Sequence, residues 1–315
     1  MSEKIYDVII VGSGPSALTA AIYTTRGNAS TLIVGGESWG GQLMLTTVVD
    51  NFPGFPEGVH GPDLMLAMRH QAERFGATFL EKNAETVDLD VRPFVVKAGG
   101  VEYRSRSVII ATGALTQWLN VPGEKELIGR GVATCAPCDA PFYKNKVVAV
   151  VGGGDSAMEE ANVLTKYADK VYIIHRRGEF RASKVMQDKI FANHKIEVVW
   201  DTEVNKIIGA DKVDKIEIEN TKTHGIKELS LDGVFVAIGH KPDSDIFKGP
   251  VEMDDRGYIK VFDSTKTNIA GVFVAGDVHD DRYKQAITAA GFGCMAAMDV
   301  LKYLEDNSSS LQVNL

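Results

Sequence analysis

Tyr6-Asp7-Val8-Ile9-Ile10-Val11 runs into Gly12-Ser13-Gly14-Pro15-Ser16-Ala17 and then into Leu18-Thr19-Ala20-Ala21-Ile22-Tyr23. An apolar run, a glycine-rich turn and a stretch of small and apolar residues read as a buried strand, a tight turn and a helix. Gly12 permits the turn and Gly14 lets backbone approach a pyrophosphate. Ala17 allows close helix–strand packing, and the helix N-terminus favours anionic charge. One such G-x-G-x-x-A turn is a weak signal, because glycine-rich turns also serve purely structural ends. The chain repeats it. Val147-Val148-Ala149-Val150-Val151, Gly152-Gly153-Gly154-Asp155-Ser156-Ala157 and Met158-Glu159-Glu160-Ala161 give the same strand, turn and helix about 140 residues later. Two copies in full context predict two dinucleotide sites, one for a flavin and one for a nicotinamide cofactor.

The second copy also points to its ligand. Its next strand, Lys170-Val171-Tyr172-Ile173-Ile174, ends in His175-Arg176-Arg177, with Phe180-Arg181-Ala182 following. An NAD site usually carries an acid there for the ribose 2′-hydroxyl, whereas guanidinium forks match a 2′-phosphate. A solvated basic turn is the bland alternative, and the position on the fold favours NADPH. The corresponding strand of the first copy, Ser30-Thr31-Leu32-Ile33-Val34, ends in Gly35-Gly36-Glu37. Either Glu37 reaches the adenosine ribose or backbone groups do that work. Val108-Ile109-Ile110-Ala111-Thr112-Gly113 and Gly233-Val234-Phe235-Val236-Ala237-Ile238-Gly239 are further strands ending in small-residue turns. They suit a chain that leaves one domain and returns to it. Gly271-Val272-Phe273-Val274-Ala275-Gly276-Asp277 is another buried strand, and a helix start is read over Tyr283-Lys284-Gln285-Ala286-Ile287 and onward. Asp277 at that strand end suits a flavin's ribityl hydroxyls, or it is a simple turn aspartate. The first domain is then discontinuous, 1–115 and 247–315, with the second inserted as 116–246. The tail Asp306-Asn307-Ser308-Ser309-Ser310 lacks apolar periodicity and reads as frayed.

Composition narrows the class. The 315 residues carry 34 Lys+Arg against 42 Asp+Glu, a net charge of −8, with 44% hydrophobic residues. That is ordinary globular composition without the basic footprint of a nucleic-acid binder. No apolar run is seen near the length that spans a bilayer, no secretory signal is read, and three cysteines are too few for a disulfide-stapled scaffold. A soluble, cytoplasmic protein is expected.

Cys135-Ala136-Pro137-Cys138 is the most informative short motif. A C-x-x-C near α/β units in a cytosolic chain reads first as a redox dithiol that closes a small disulfide ring. No metal site is expected, because His175, His194 and His240 have no metal-ligand spacing and Cys294 is remote. Asp139 either carries the proton a thiolate gains or loses, or caps the following turn. Cys294, among small apolar residues, reads as a free buried cysteine. The pair belongs to the second domain. If nicotinamide and disulfide compete for the same flavin face they must take turns, which predicts a swivel about Ala114–Trp118 and Lys241–Phe247.

Over essentially its whole length the chain resembles the low-molecular-weight, bacterial-type thioredoxin reductases. The resemblance rests on Gly12 to Pro15, Gly40-Gly41-Gln42-Leu43, Asp50-Asn51-Phe52-Pro53-Gly54, Ala111-Thr112-Gly113, Cys135 to Asp139, Gly152 to Ala161, His175 to Ala182, Ala237-Ile238-Gly239-His240, and Ala275-Gly276-Asp277 through Gln285-Ala286, in family order and spacing. It implies an α/β fold of two Rossmann-like dinucleotide-binding domains, the pyridine nucleotide-disulfide oxidoreductase type, with FAD on the first, NADPH on the inserted second, and a homodimer. FAD would be held by Gly12, Ser13, Gly14, Pro15, Ser16, Ala17, Gly35, Gly36, Glu37, Gly41, Gln42, Leu43, Asn51, Ala111, Thr112, Gly113, Asp277, Lys284, Gln285 and Ala286. Gln42 and Asn51 would lie against the isoalloxazine. NADPH would be held by Gly152, Gly154, Asp155, Ser156, Ala157, His175, Arg176, Arg177, Arg181, Ile238 and Gly239. Cys138 would face the flavin, Cys135 would exchange with the thioredoxin disulfide, and Asp139 would serve as acid. Three positions depart from the family. Ala136-Pro137 replaces Ala-Thr, Ala140-Pro141 follows Asp139 in place of glycine, and Lys284 stands for arginine. The prolines stiffen the redox loop and bear on partner choice. The expected activity is NADPH-dependent thioredoxin reduction. Same-fold alternatives are a reductase for another thioredoxin-like or peroxidase-linked partner and an oxygen-using dithiol oxidase.

Overall fold

A computed structural model of the chain describes residues 4–308. It divides into two compact units, Met1–Leu115 with Lys241–Leu315, and Thr116–His240. The inserted unit ends at His240 instead of at 246, so 241–246 belong to the discontinuous unit.

In the discontinuous unit, β1 (Ile5–Val11) leads into α1 (Pro15–Arg26), β2 (Thr31–Val34), α2 (Gly61–Arg74), β3 (Thr78–Leu80), β4 (Ala84–Asp88), β5 (Phe94–Ala98) and β6 (Val101–Ile110). The sheet order is β3-β2-β1-β6-β5-β4, and the strand Val272–Val274 pairs with β6. β1 lies parallel between β2 and β6, while β4 and β5 add an antiparallel flap. The parallel strands form because they are nearly continuous apolar runs, which suits a sheet covered on both faces. Ile9, Ile10, Ile33 and Ile109 have no exposed surface. The helix Ala286–Ser308 packs on α1 so closely that a Cβ on Gly293 would stand 2.1 Å from the Ser16 carbonyl oxygen.

That C-terminal helix corrects two expectations. By length and composition Ala286–Asn307 is apolar enough to cross a bilayer, whereas no run was expected to approach that. Its Ala296, Ala297 and Val300 are nevertheless fully buried in the core, as in the core helix of a globular domain. The tail read as frayed from Asp306 is helical to Ser308, and Ser309 and Ser310 lie outside the described residues.

The inserted unit repeats the plan. β7 (Val132–Ala133), α3 (Ala136–Asp139), β8 (Val147–Val151), α4 (Asp155–Leu164), β9 (Lys170–Ile174), α5 (Lys184–Ala192), β10 (Ile196–Val199) and β11 (Gly233–Val236) give a parallel sheet of order β7-β11-β8-β9-β10. A separate antiparallel sheet of Thr202–Ile208, Lys215–Asn220 and Ile226–Ser230 falls between β10 and β11 in sequence. The two nucleotide strands end in equivalent registers. Val11 pairs with Val34 and Ile110, and Val151 pairs with Ile174 and Val236. In each unit the chain runs outward on one side of the nucleotide strand and returns on the other. The carboxyl end of that strand is the switch point where such sheets bind ligands.

Candidate active site

At the first switch point Gly12 adopts φ +121°, and a Cβ there would sit 2.1 Å from the Ala111 carbonyl oxygen. The turn is therefore closed to any side chain at that position. A Cβ on Gly14 would meet nothing within 4 Å, so the backbone before α1 is open to a ligand. The Ser13 hydroxyl donates to the Gly35 carbonyl oxygen (2.5 Å) and accepts from Gly40 N–H (3.0 Å), joining the turn to the end of β2 and the next loop. Pro15 opens α1, and Ser16 and Ala17 are buried beneath it. Gly36 lies at φ +85°. The Glu37 carboxylate pairs with Lys82 at 3.3 Å on an exposed edge while its N–H bonds the Asn83 side chain.

Chain-distant residues gather on the same unit. Gly41, Gln42 and Leu43 form a 3-10 turn, and the Gln42 amide reaches the Ala114 carbonyl oxygen (3.5 Å). The Asn51 amide donates to Gln285 Oε1 at 3.2 Å, across 234 residues. The Thr112 hydroxyl bonds the Asp243 carbonyl oxygen, and Gly113 has φ +76°. The loop before Ala286, where the helix begins, is organised by Asp280. Its carboxylate accepts Arg282 N–H and Tyr283 N–H, each at 3.0 Å. Asp277 Oδ1 is buried without a hydrogen-bond partner. Burial first, then the Asp280 charge, pushes the Asp277 carboxyl up to about 6, opposed by Lys284. Burial in turn pulls the Lys284 ammonium below its ordinary range.

The second switch point has the same construction with a different ending. A Cβ on Gly152 would lie 2.4 Å from the Ala237 carbonyl oxygen and 2.8 Å from the Ala157 Cβ, whereas Gly154 is open. Asp155, at the start of α4, accepts both the N–H and the hydroxyl of Ser183. Ser156 is exposed beside it, and Ala157 is fully buried. Arg181 N–H donates to the Gly153 carbonyl oxygen (2.8 Å), holding the segment after β9 against the turn. His175 is buried. Its Nε2 meets the Glu179 carbonyl oxygen at 2.9 Å, its ring stacks near Phe180 and Trp200, and burial lowers its pKa. Arg176, Arg177 and Arg181 are exposed, and no salt bridge holds them among the described residues. Gly239, at φ +119° after Ile238, accepts Gln117 N–H at 3.0 Å.

In this inserted unit Cys135 and Cys138 are joined in a disulfide, with Cα atoms 5.3 Å apart. Cys135 is the N-cap of the one-turn helix α3, and its carbonyl oxygen accepts Cys138 N–H and Asp139 N–H, each at 3.1 Å. Pro137 and Pro141 both fall in the first turns of short helices, where a missing N–H costs little. Asp139 precedes the second turn without a side-chain cap bond, and burial pushes its carboxyl up to about 6. The Ala136 N–H donates to Glu160 Oε2 of α4. Burial, with the Asp139 and Glu159 charges, raises Glu160 to about 7 despite that bond. Cys294 is free and half-buried, not buried as expected.

Residues 6–293 match the pyridine nucleotide-disulphide oxidoreductase family. Thioredoxin reductase of Rickettsia felis is 50% identical over 302 residues, covering 94% of this chain and 97% of that one. Thioredoxin reductase of Streptomyces clavuligerus is 49% identical over 315 residues, with 99% and 98% covered. The structure of thioredoxin reductase from Giardia duodenalis superposes with a TM-score of 0.92 at 40% identity, over 96% of this chain and 100% of that chain. The chain belongs to the thioredoxin reductases. It is thus an FAD- and NADPH-dependent oxidoreductase that reduces thioredoxin, and the Cys135–Cys138 bridge fits the redox disulfide of that chemistry.

The residues present fit both cofactors of a thioredoxin reductase. An orphaned buried Asp277 oxygen awaits a hydroxyl donor, and the open Gly14 and Gly154 backbones leave room for pyrophosphates. Sequence reasoning missed Asp280, Ser183 and Glu160. Each acts on a partner through tertiary contact or a loop fold, and no residue spacing announces it.

Proposed function

We propose that the discontinuous unit holds FAD and the inserted unit holds NADPH, each on its G-x-G-x-x-A turn, with Cys135, Cys138 and Asp139 as the catalytic residues. The observation that carries this reading is a closed Cys135–Cys138 bridge in the same compact unit as the Gly152–Ala157 turn, with a protonatable Asp139 beside it. FAD held there would supply a two-electron relay between the nicotinamide and the disulfide. Asp277 accepts from the ribityl hydroxyls, the Ser13–Gly35 bond fixes the pyrophosphate turn, and Asn51 with Gln285 lines the ring. Arg176, Arg177 and Arg181 take the 2′-phosphate, while His175 supports their turn from inside. Glu37 is engaged by Lys82, which favours backbone groups for the adenosine ribose. Cys138 receives electrons and Cys135 attacks the thioredoxin disulfide. Asp139, kept protonated to about pH 6, delivers the proton the leaving thiolate needs.

Both electron donor and acceptor partners of the flavin are assigned to the inserted unit, so they alternate by rotation about 114–118 and 241–247. Exposed Tyr23, Met295 and Met298 on α1 and the C-terminal helix support a homodimer. A cytoplasmic location, with no membrane or nucleic-acid partner, accords with the acidic composition and three cysteines. The test is NADPH oxidation with thioredoxin in Cys135→Ser and Cys138→Ser. Both variants lose thioredoxin reduction while their flavin is still reduced by NADPH; full turnover in either overturns the assignment.

A further inference from the structure

The first amides of a helix have no intrahelical partner and need one from elsewhere. In α3, Cys138 and Asp139 N–H turn inward to the Cys135 carbonyl oxygen, and Pro137 has no N–H. Cys135 makes no side-chain cap bond, its sulfur being committed to the bridge. Ala136, fully buried between the two cysteines, donates its N–H to Glu160. Glu160 stands on α4, the helix that follows the nucleotide turn, where its neighbour Glu159 is exposed.

We propose that Glu160 is a positioning residue for thioredoxin reduction, anchoring the peptide between Cys135 and Cys138 to the nucleotide-binding helix. Pro137 makes this anchor decisive, because a residue with an N–H at 137 would give the loop a second donor. The anchor is strongest when Glu160 is ionised, since a carboxylate accepts more strongly than a carboxylic acid. The groups facing it favour the neutral form. Asp139 on α3 and Glu159 on α4 are acidic, and Tyr143 after α3 stays protonated with a pKa pushed up to about 12. On the other elements packed on α4, Lys184 of α5 pairs with Asp188 and Lys170 of β9 pairs with Glu197; Lys189 also lies on α5. Glu160 is therefore raised to about 7.

This inference rests on the disulfide assignment above, and its test separates the two. The FAD-bound full chain is compared with Glu160→Ala, Glu160→Gln and Asp139→Asn. Three readouts are used: thioredoxin turnover against pH, flavin reduction by NADPH, and the equilibrium of the Cys135–Cys138 pair with glutathione. Losing a charge-assisted bond in Glu160→Ala lowers turnover and shifts the glutathione equilibrium by about tenfold. Flavin reduction, which does not involve the cysteines, is unchanged. Glu160→Gln keeps an acceptor for Ala136, stays within about threefold of wild type, and loses the inflection near pH 7. An unmoved glutathione equilibrium in Glu160→Ala overturns the proposal. Should that variant not fold, an inflection persisting in Glu160→Gln overturns it. Loss of turnover in Asp139→Asn with an unmoved equilibrium supports the acid role separately. Full turnover in Asp139→Asn refutes that role and leaves the Glu160 equilibrium shift standing.

Discussion

Asp139 and Glu160 occupy ground that disfavours charge, and this couples the redox loop to pH. Burial holds Asp139 at about 6 against an ordinary 3.8 and Glu160 at about 7 against 4.5. Both shifts are upward, so between roughly pH 4 and pH 7 the folded chain binds protons that the unfolded chain has released. Their contribution is fully present below about pH 4 and is lost as the pH climbs through about 6 and then 7. Denaturant unfolding at fixed pH values should show it. The Asp139→Asn, Glu160→Gln double variant loses less stability between pH 4 and 7 than wild type, and an identical slope contradicts the assignment. Asp277 titrates in both proteins and cancels in the comparison. A histidine after a strand, followed by two arginines, suggests a ligand contact, and its buried ring packs beside Gly153.

At the scale of elements, the strand–turn–helix units were legible because β1, β8 and β9 are nearly continuous apolar runs, broken only by Asp7 in β1 and opened by Lys170 in β9, and closed by glycine or by charge. The segment after β9 shows what such reading reaches. Arg181 N–H on Gly153 and Ser183 on Asp155 fix this segment against the turn, leaving the arginine heads in solvent. Arg176→Ala, Arg181→Ala should lower kcat/KM for NADPH by roughly tenfold or more while sparing NADH. Equal losses for both cofactors would refute a 2′-phosphate role. Elements joined only by tertiary contact were not legible. Ala136 and Glu160 are 24 residues apart, Asn51 and Gln285 are 234 apart, and no periodicity encodes either pair. Tyr283–Gln285 are compatible with the helix start read there, whereas Asp280 accepting successive amides holds this segment as a turn and the helix begins at Ala286.

The whole molecule uses one architecture twice, with Gly12, Gly35 and Ala111 in the places that Gly152, His175 and Ala237 take in the other sheet. The chain crosses between the units at two segments, each tied within its own unit. Gln117 N–H bonds the Gly239 carbonyl oxygen on one side, and Asp243 N–H bonds the Gly113 carbonyl oxygen on the other, both at 3.0 Å. The proposed rotation about these few element-terminal residues would break no core strand. The most direct measurement is rapid-reaction spectroscopy of enzyme whose two units are joined by a short cross-link. Flavin reduction by NADPH and flavin reoxidation by Cys135–Cys138 are followed separately. One half-reaction should keep its rate while the other collapses, with both restored when the link is cleaved; two half-reactions at full speed in the linked enzyme would contradict alternation.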